Sequence, residues 1–142
     1  MIKFYSTKDE YGWLSNYARH YFGDYPTNEH FYQSKKAITT QMENWIRNAP
    51  TPYAAMMAGR SLRPKEVRSD WDDVKINIML EGLRKKFSHP MFKNKLLATC
   101  DEEIHEDSPT DMFWGILGKD MLGKLIMKVR EELRIMEEVK RS

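Results

Sequence analysis

Apolar positions recur along most of this chain at helical spacing. The clearest run follows Ser69, where Trp71, Val74, Ile78 and Phe87 share a face that Met79 and Leu83 widen and Gly82 weakens. That spacing predicts a helix capped by Ser69 and running to about Ser88. A second stripe, Leu122, Leu125, Ile126, Val129, Leu133 and Met136, predicts a helix from near Asp120 to about Glu138, with only residues 140–142 frayed. Thr51-Pro52 supplies an N-cap and a first-turn proline for a short helix over 53–58, with Gly59 as its terminator. Pro90 opens another over 91–99, with Phe92 and Leu96 inward, and residues 42–48 keep helical character until Pro50 stops it. Strand character is confined to residues 2–5, to Tyr21-Phe22 before the Gly23-Asp24 turn, and to residues 103–106 with Ile104 inward. The pattern predicts one α+β domain, predominantly helical, with a few short strands.

The stretch Tyr25-Pro-Thr-Asn-Glu-His-Phe-Tyr-Gln-Ser-Lys-Lys-Ala37 combines a rigid turn, a helix start and a row of ionisable groups. Pro26 fixes its own φ and biases Tyr25 toward extended geometry, and Thr27 or Asn28 can cap a helix beginning near Asn28. At ~100° per residue, Glu29, Gln33 and Lys36 share one stripe while Phe31, Ser34 and Ile38 face the other way. Glu29 and Lys36 are roughly 10 Å apart along such an axis, too far for an ordinary surface pair, which leaves room for a ligand between them. Glu29 also lies in the first turn, where the positive end of the helix dipole favours an ionised carboxylate or a bound anion.

Composition narrows the classes without choosing among them. At 142 residues the chain is long enough to bury a core without disulfides or metal. Its 23 basic and 21 acidic residues nearly cancel, so nothing resembles a polyphosphate-coating surface, and nucleic acid is neither demanded nor excluded. Cys100 is the only cysteine, which rules out an internal disulfide and suits a reducing compartment. No apolar run has signal-peptide or bilayer-spanning length, so a cytoplasmic protein with no membrane partner is expected.

Three further stretches carry chemistry. Tyr11-Gly-Trp-Leu-Ser-Asn-Tyr17 mixes aromatics with small hydrogen-bonding residues, a composition suited to a ligand-lining loop. Arg60, Arg63 and Arg68 follow a helix end closely, and one or two of them can capture an anion. Between Thr99 and Gly115 lie six carboxylates, Cys100 and His105. The spacing of Cys100 and His105 has no metal-ligand pairing, so no metal is expected; the segment should instead deliver Asp111 and Trp114 to a pocket rim.

Several pieces occur together in order: Gly12-Trp-Leu-Ser-Asn16, Tyr25-Pro-x-x-Glu-His-x-Tyr-Gln-x-x-Lys36, Ala58-Gly-Arg60, Arg68-x-x-Trp71 with Lys75, Lys86-Phe87, Leu97-Ala-Thr99, Glu106-Asp-Ser-Pro-x-Asp-x-x-Trp-Gly115 and Leu122-Gly-Lys-Leu-Ile-Met127. With these motifs the chain resembles the NADAR family of N-glycosidases over nearly its whole length. Three departures stand out: Cys100 replaces the usual glycine of a Thr-Gly-Asp turn, His105 stands where an apolar residue is common, and the loop 116–121 is short.

The resemblance implies a hydrolase, without cofactor, that cleaves the bond between ribose and an amine or nucleobase nitrogen. Its partner would be a phosphorylated ribosyl substrate, either a ribosylaminopyrimidine phosphate or ADP-ribose on guanine in DNA. Breaking that bond builds positive charge on the sugar, which calls for a carboxylate, a means of releasing nitrogen and an attacking group. Glu29 is then expected to stabilise the cation or activate water. Lys36 is expected to contact phosphate or hydroxyl, or to capture the opened sugar as a Schiff base if burial or a neighbour such as Lys35 depresses its pKa. Asp111 is the second acid–base group. Substrate contacts fall to Trp13, Ser15, Asn16, Tyr32, Arg60, Trp71, Lys75, Trp114 and Gly115, with tryptophans stacking on the base and Arg60 and Lys75 holding phosphate. A non-catalytic nucleotide-binding module is the alternative.

Overall fold

The computed structural model describes the backbone of residues 1–142 and every side chain except those of residues 20–22. Along the chain run β1 (Ile2–Phe4), β2 (Arg19–Phe22), β3 (Tyr25–Thr27), α1 (Asn28–Ser34), α2 (Thr40–Arg47), α3 (Pro52–Ser61), α4 (Trp71–Lys86), α5 (Pro90–Leu97), β4 (Ile104–Glu106) and α6 (Met121–Arg141). The described residues therefore form an α+β, predominantly helical fold. Backbone contacts gather into two compact units, one of Asn16–Gly82 and one of Met1–Ser15 with Leu83–Ser142.

In the Asn16–Gly82 unit, β2 and β3 pair antiparallel around Gly23-Asp24, where Gly23 takes φ +60°, a conformation that favours glycine. β3 runs directly into α1, which packs against α2 and α3. Thr27 is the N-cap, its hydroxyl accepting from the His30 amide, and all seven α1 residues are buried. A water-facing polar stripe is therefore absent from this helix. Lys36 also lies beyond the last helical turn, because α1 ends at Ser34. Thr51 caps α3 as its sequence predicts, accepting from Ala54 N at 3.0 Å, but the helix passes through Gly59 to Ser61 instead of stopping. Gly59 has no positive φ to end a helix. It is small because a Cβ there would stand 2.1 Å from Gln33 Oε1. α4 starts one residue later than Ser69 capping predicts, since Val74 N donates to Asp70 O at 3.1 Å.

In the second unit, β1 and β4 pair parallel with Ile2 opposite Ile104, and Ile2, Phe4 and Ile104 are buried. α6 covers β4 and packs against α5. Leu122, Leu125, Ile126 and Val129 are buried in its stripe, whereas Met136 is 53 % exposed. The helix continues to Arg141, past the expected end at Glu138 and through residues expected to fray; Lys140 and Arg141 in its last turn suit the negative end of the dipole.

Cys100 takes φ 55°, a left-handed conformation that glycine adopts at less cost than a residue with a β-carbon. Arg134 Nη2 donates to the Cys100 carbonyl at 2.7 Å, and Arg130 Nη1 donates to Thr99 Oγ1 at 2.9 Å and Glu102 O at 2.8 Å. Among the described residues no helix is long and apolar enough to cross a membrane.

Candidate active site

The Asn16–Gly82 unit brings Glu29, Tyr32, Lys36, Arg60, Trp71 and Lys75 into one polar and aromatic cluster. Its geometry begins at Asn16. The Asn16 carbonyl accepts from Glu29 N at 3.1 Å, and its side-chain oxygen accepts from Asn28 Nδ2 at 2.9 Å. Asn16 thus fixes the first turn of α1 and the carboxylate that turn carries. Glu29 is 9 % exposed.

Below the cap, buried His30 joins α1 to the chain before α3. Its Nε2 lies 3.0 Å from the Ala49 carbonyl, which only accepts, so Nε2 carries the hydrogen and Nδ1 takes the Thr27 hydroxyl at 2.8 Å. Burial holds His30 below its ordinary pKa; the Ala49 bond pulls the other way and the charge of Arg19 adds to the depression.

The segment after α1 is pinned by the chain before α4. Arg68 N donates to Lys36 O at 2.9 Å, and Ile38 N to Glu66 O at 3.0 Å. This places the half-buried Lys36 ammonium 3.5 Å from the Gly59 carbonyl and 5.9 Å from the Trp71 ring centre. Tyr32 meets Trp71 with ring centres 5.0 Å apart. Burial lowers the Lys36 pKa; Glu29 opposes that shift, while Arg60 and Lys75 reinforce it. The neighbouring Lys35 is not the depressing cation, as it turns away to Glu43 at 2.9 Å. Of the three arginines, Arg68 is held bidentate by Asp70 at 2.6 and 3.0 Å, and Arg60 and Arg63 are exposed. Lys75 reaches Asp72 at 3.5 Å on the surface.

The other expected residues belong to the second unit. Trp13 lies in a short 3-10 turn, Gly12–Leu14, and packs edge-on against Phe87 at 6.4 Å. With Glu10, Tyr11, Lys95, Ala98, Thr99 and Glu102 it lines a groove of about 400 Å³. The Ser15 carbonyl accepts from Lys86 Nζ at 2.8 Å. Asp111 shapes a turn: its Oδ1 accepts from Phe113 N at 2.9 Å and Trp114 N at 2.8 Å. Trp114 stacks edge-on against Phe113 at 4.7 Å, and Gly115 sits where a Cβ would stand 2.6 Å from the Asp111 carbonyl. The short loop 116–121 closes on itself, with Asp120 N donating to Gly115 O at 3.0 Å and the Asp120 carboxylate meeting His105 Nδ1 at 2.5 Å. Among the described residues no group of three His, Cys, Asp or Glu is placed to hold a metal ion.

Lys86 escapes a reading of charge alone. It ends the run Arg84-Lys-Lys86, which looks solvated, yet its side chain is fully buried. The signal was its phase, since Lys86 falls about 20° from Met79 and about 60° from Leu83, on the apolar stripe of α4.

The NADAR domain matches residues 3–134. N-glycosidase YbiA of Escherichia coli (strain K12) is 37 % identical over 144 residues, covering 95 % of this chain and 89 % of that protein. N-glycosidase Npun_R5314 of Nostoc punctiforme is 40 % identical over 145 residues, covering 94 % and 92 %. The chloroplastic riboflavin biosynthesis protein PYRR of Zea mays is 35 % identical over 156 residues, which take in 94 % of this chain but 25 % of that longer protein. The NMR structure of E. coli YbiA superposes with a TM-score of 0.86 at 36 % identity, covering 96 % of this chain and 86 % of that one. Matched over most of its length in sequence and in fold, the chain belongs to the NADAR domain family.

Proposed function

We propose that the chain is an N-glycosidase, a hydrolase that cleaves the bond between the anomeric carbon of a phosphorylated ribose and an amine or nucleobase nitrogen. The observation that carries this reading is the pairing of buried Glu29 with a half-buried Lys36 whose pKa is lowered, beside the Tyr32–Trp71 aromatic pair. The reaction adds water across the C–N bond, hydroxyl to the sugar and proton to the departing nitrogen. Glu29 stabilises positive charge as it builds on the ribose. Lys36, more easily deprotonated than an ordinary lysine, serves as base or attacks the anomeric carbon; in the second case one amine proton passes to the departing nitrogen, the ring then opens with its oxygen taking the other proton, and the resulting imine is hydrolysed by water. Arg60 and Lys75 hold phosphate, and Trp71 stacks on a planar group. Asn16 positions Glu29; Trp13, Ser15, Trp114 and Gly115 are assigned as further substrate contacts on the family resemblance alone.

Asp111 was expected to act as acid or base. With Oδ1 committed to two backbone amides, it acts in this reading as the residue that orients Trp114 and Gly115.

Ribosylaminopyrimidine phosphates are the favoured substrates, because names among the relatives point to N-glycosidase activity and to riboflavin biosynthesis. ADP-ribose on guanine in DNA presents the same kind of bond. The test incubates the protein separately with both and follows release of free base, amine or ADP-ribose. Release from either supports the reading. Saturable binding of both without release turns the protein into a nucleotide-binding module.

A further inference from the structure

Lys86, the last residue of α4, is 0 % exposed. Its ammonium lies 2.8 Å from the Ser15 carbonyl and 5.3 Å from the ring centres of both Phe87 and Phe92. Among the described residues no carboxylate stands within ion-pair distance of it. One hydrogen bond and two ring faces are poor replacement for the water an ammonium gives up, and burial pushes the lysine down to about 7. A methionine of similar length would fill the same channel without that penalty, since apolar replacement of buried charge is often neutral or stabilising.

Nor is the lysine needed to shape the turn it touches. Leu14 N donates to Tyr11 O and Ser15 N to Gly12 O, both at 3.0 Å, and Gly12 fits so tightly that a Cβ would stand 2.3 Å from Thr7 O. These contacts fix the 3-10 turn by themselves. What the amine adds is the direction of the Ser15 carbonyl where the chain leaves the turn in extended conformation, at ψ 143°. Charged or neutral, the amine donates that bond.

We infer that Lys86 is a positioning residue, its amine fixing the Ser15 carbonyl so that the segment carrying Trp13 and Ser15 is set for substrate contact. This rests on the reading above only in taking Trp13 and Ser15 as substrate contacts. A costly buried cation is then retained for placement, against the interest of stability.

The experiment compares wild type with Lys86→Met by thermal melting, by amide hydrogen exchange over residues 12–17, and by steady-state kinetics on whichever of ribosylaminopyrimidine phosphate or ADP-ribosylated DNA the wild type cleaves. The expected result is an equal or higher Tm, faster exchange confined to 12–17, and a KM raised about tenfold with kcat within about threefold. Unchanged KM and exchange in a folded variant overturn the inference. So does a loss of activity that tracks a lower Tm and faster exchange throughout, or a variant that does not fold, because each makes Lys86 a structural staple. In the wild type alone, Leu14 and Ser15 amides exchanging as fast as the exposed turn 7–10 also overturn it. A wild type inactive on both substrates removes the N-glycosidase reading and leaves melting and exchange to decide the role of Lys86.

Discussion

Gly59 and Gln33 approach so closely that a β-carbon on the glycine would stand 2.1 Å from Gln33 Oε1, an oxygen buried without a hydrogen-bond partner. The two helices that bear them meet at this point, and the Gly59 carbonyl is the one that Lys36 approaches. Gly59→Ala must displace a buried carboxamide. The expected cost is about 1–3 kcal/mol, the usual penalty for overpacking, read from the denaturation midpoint at constant m-value. Turnover should fall as well, since the displaced group neighbours the Lys36 carbonyl contact.

Glu29→Gln keeps shape and removes charge, so turnover should drop by about 100-fold or more, the size expected for a group acting in the transition state. Near-neutral stability, which an exposed glutamate would allow, is not expected of Glu29→Ala, because the side chain is buried. Lys36→Ala should abolish turnover with a stability change within about 1 kcal/mol. If the neutral amine is the working form, activity rises with pH through a Lys36 pKa lying below that of an ordinary lysine, and the limb disappears in Lys36→Arg. Borohydride treatment during turnover should fix sugar to Lys36 if the imine forms. Recovery of unmodified Lys36 from an active reaction leaves it the role of base.

Asp111 offers a clean separation of turn-building from proton transfer. Asparagine presents the same Oδ1 to the Phe113 and Trp114 amides, so Asp111→Asn should retain stability within about 0.5 kcal/mol and most of its activity, whereas Asp111→Ala should lose about 1 kcal/mol and raise KM. Inactive but stable Asp111→Asn would return the residue to proton transfer.

His30 predicts acid sensitivity with a definite sign. Its folded pKa lies below the unfolded value, so between the two the unfolded chain binds more protons and stability falls as pH drops. The contribution is complete above about 6.5, the unperturbed value, and is lost progressively below it. Urea midpoints measured downward from pH 7.5 should show this slope, and His30→Gln should flatten it.

Cys100→Gly should raise stability by about 0.5–1 kcal/mol. Relief of a left-handed residue, worth roughly 1–2 kcal/mol, outweighs the entropy that glycine adds to the unfolded chain. A lower Tm in the glycine variant would show that the corner carries no such strain.

Helix stripes and their caps at Thr27 and Thr51 were legible in the sequence, because threonine hydroxyls and prolines act on their immediate neighbours. Thr27 sits where its sequence neighbours put it. Gly59 does not behave as a terminator because its constraint comes from Gln33, 26 positions away, which no local rule detects. Glu29 and Lys36 were read as one helical face, yet Lys36 reaches the cluster from a turn pinned by Glu66 and Arg68. The stripe paired two residues that are electrostatic neighbours, for a partly wrong geometrical reason. Lys86 hid because a charged letter on an apolar phase reads as noise until its burial is seen.

Arg130 and Arg134 grip both sides of the bend at Cys100, one through Thr99 and Glu102, the other through the Cys100 carbonyl itself. The bend is therefore dictated by guanidinium groups projecting from α6, and the residue at its apex has little say in the matter. That arrangement lets the apex carry a β-carbon: once the long helix enforces the corner, position 100 need not be glycine, and the corner would relax only on loss of the arginines that hold it.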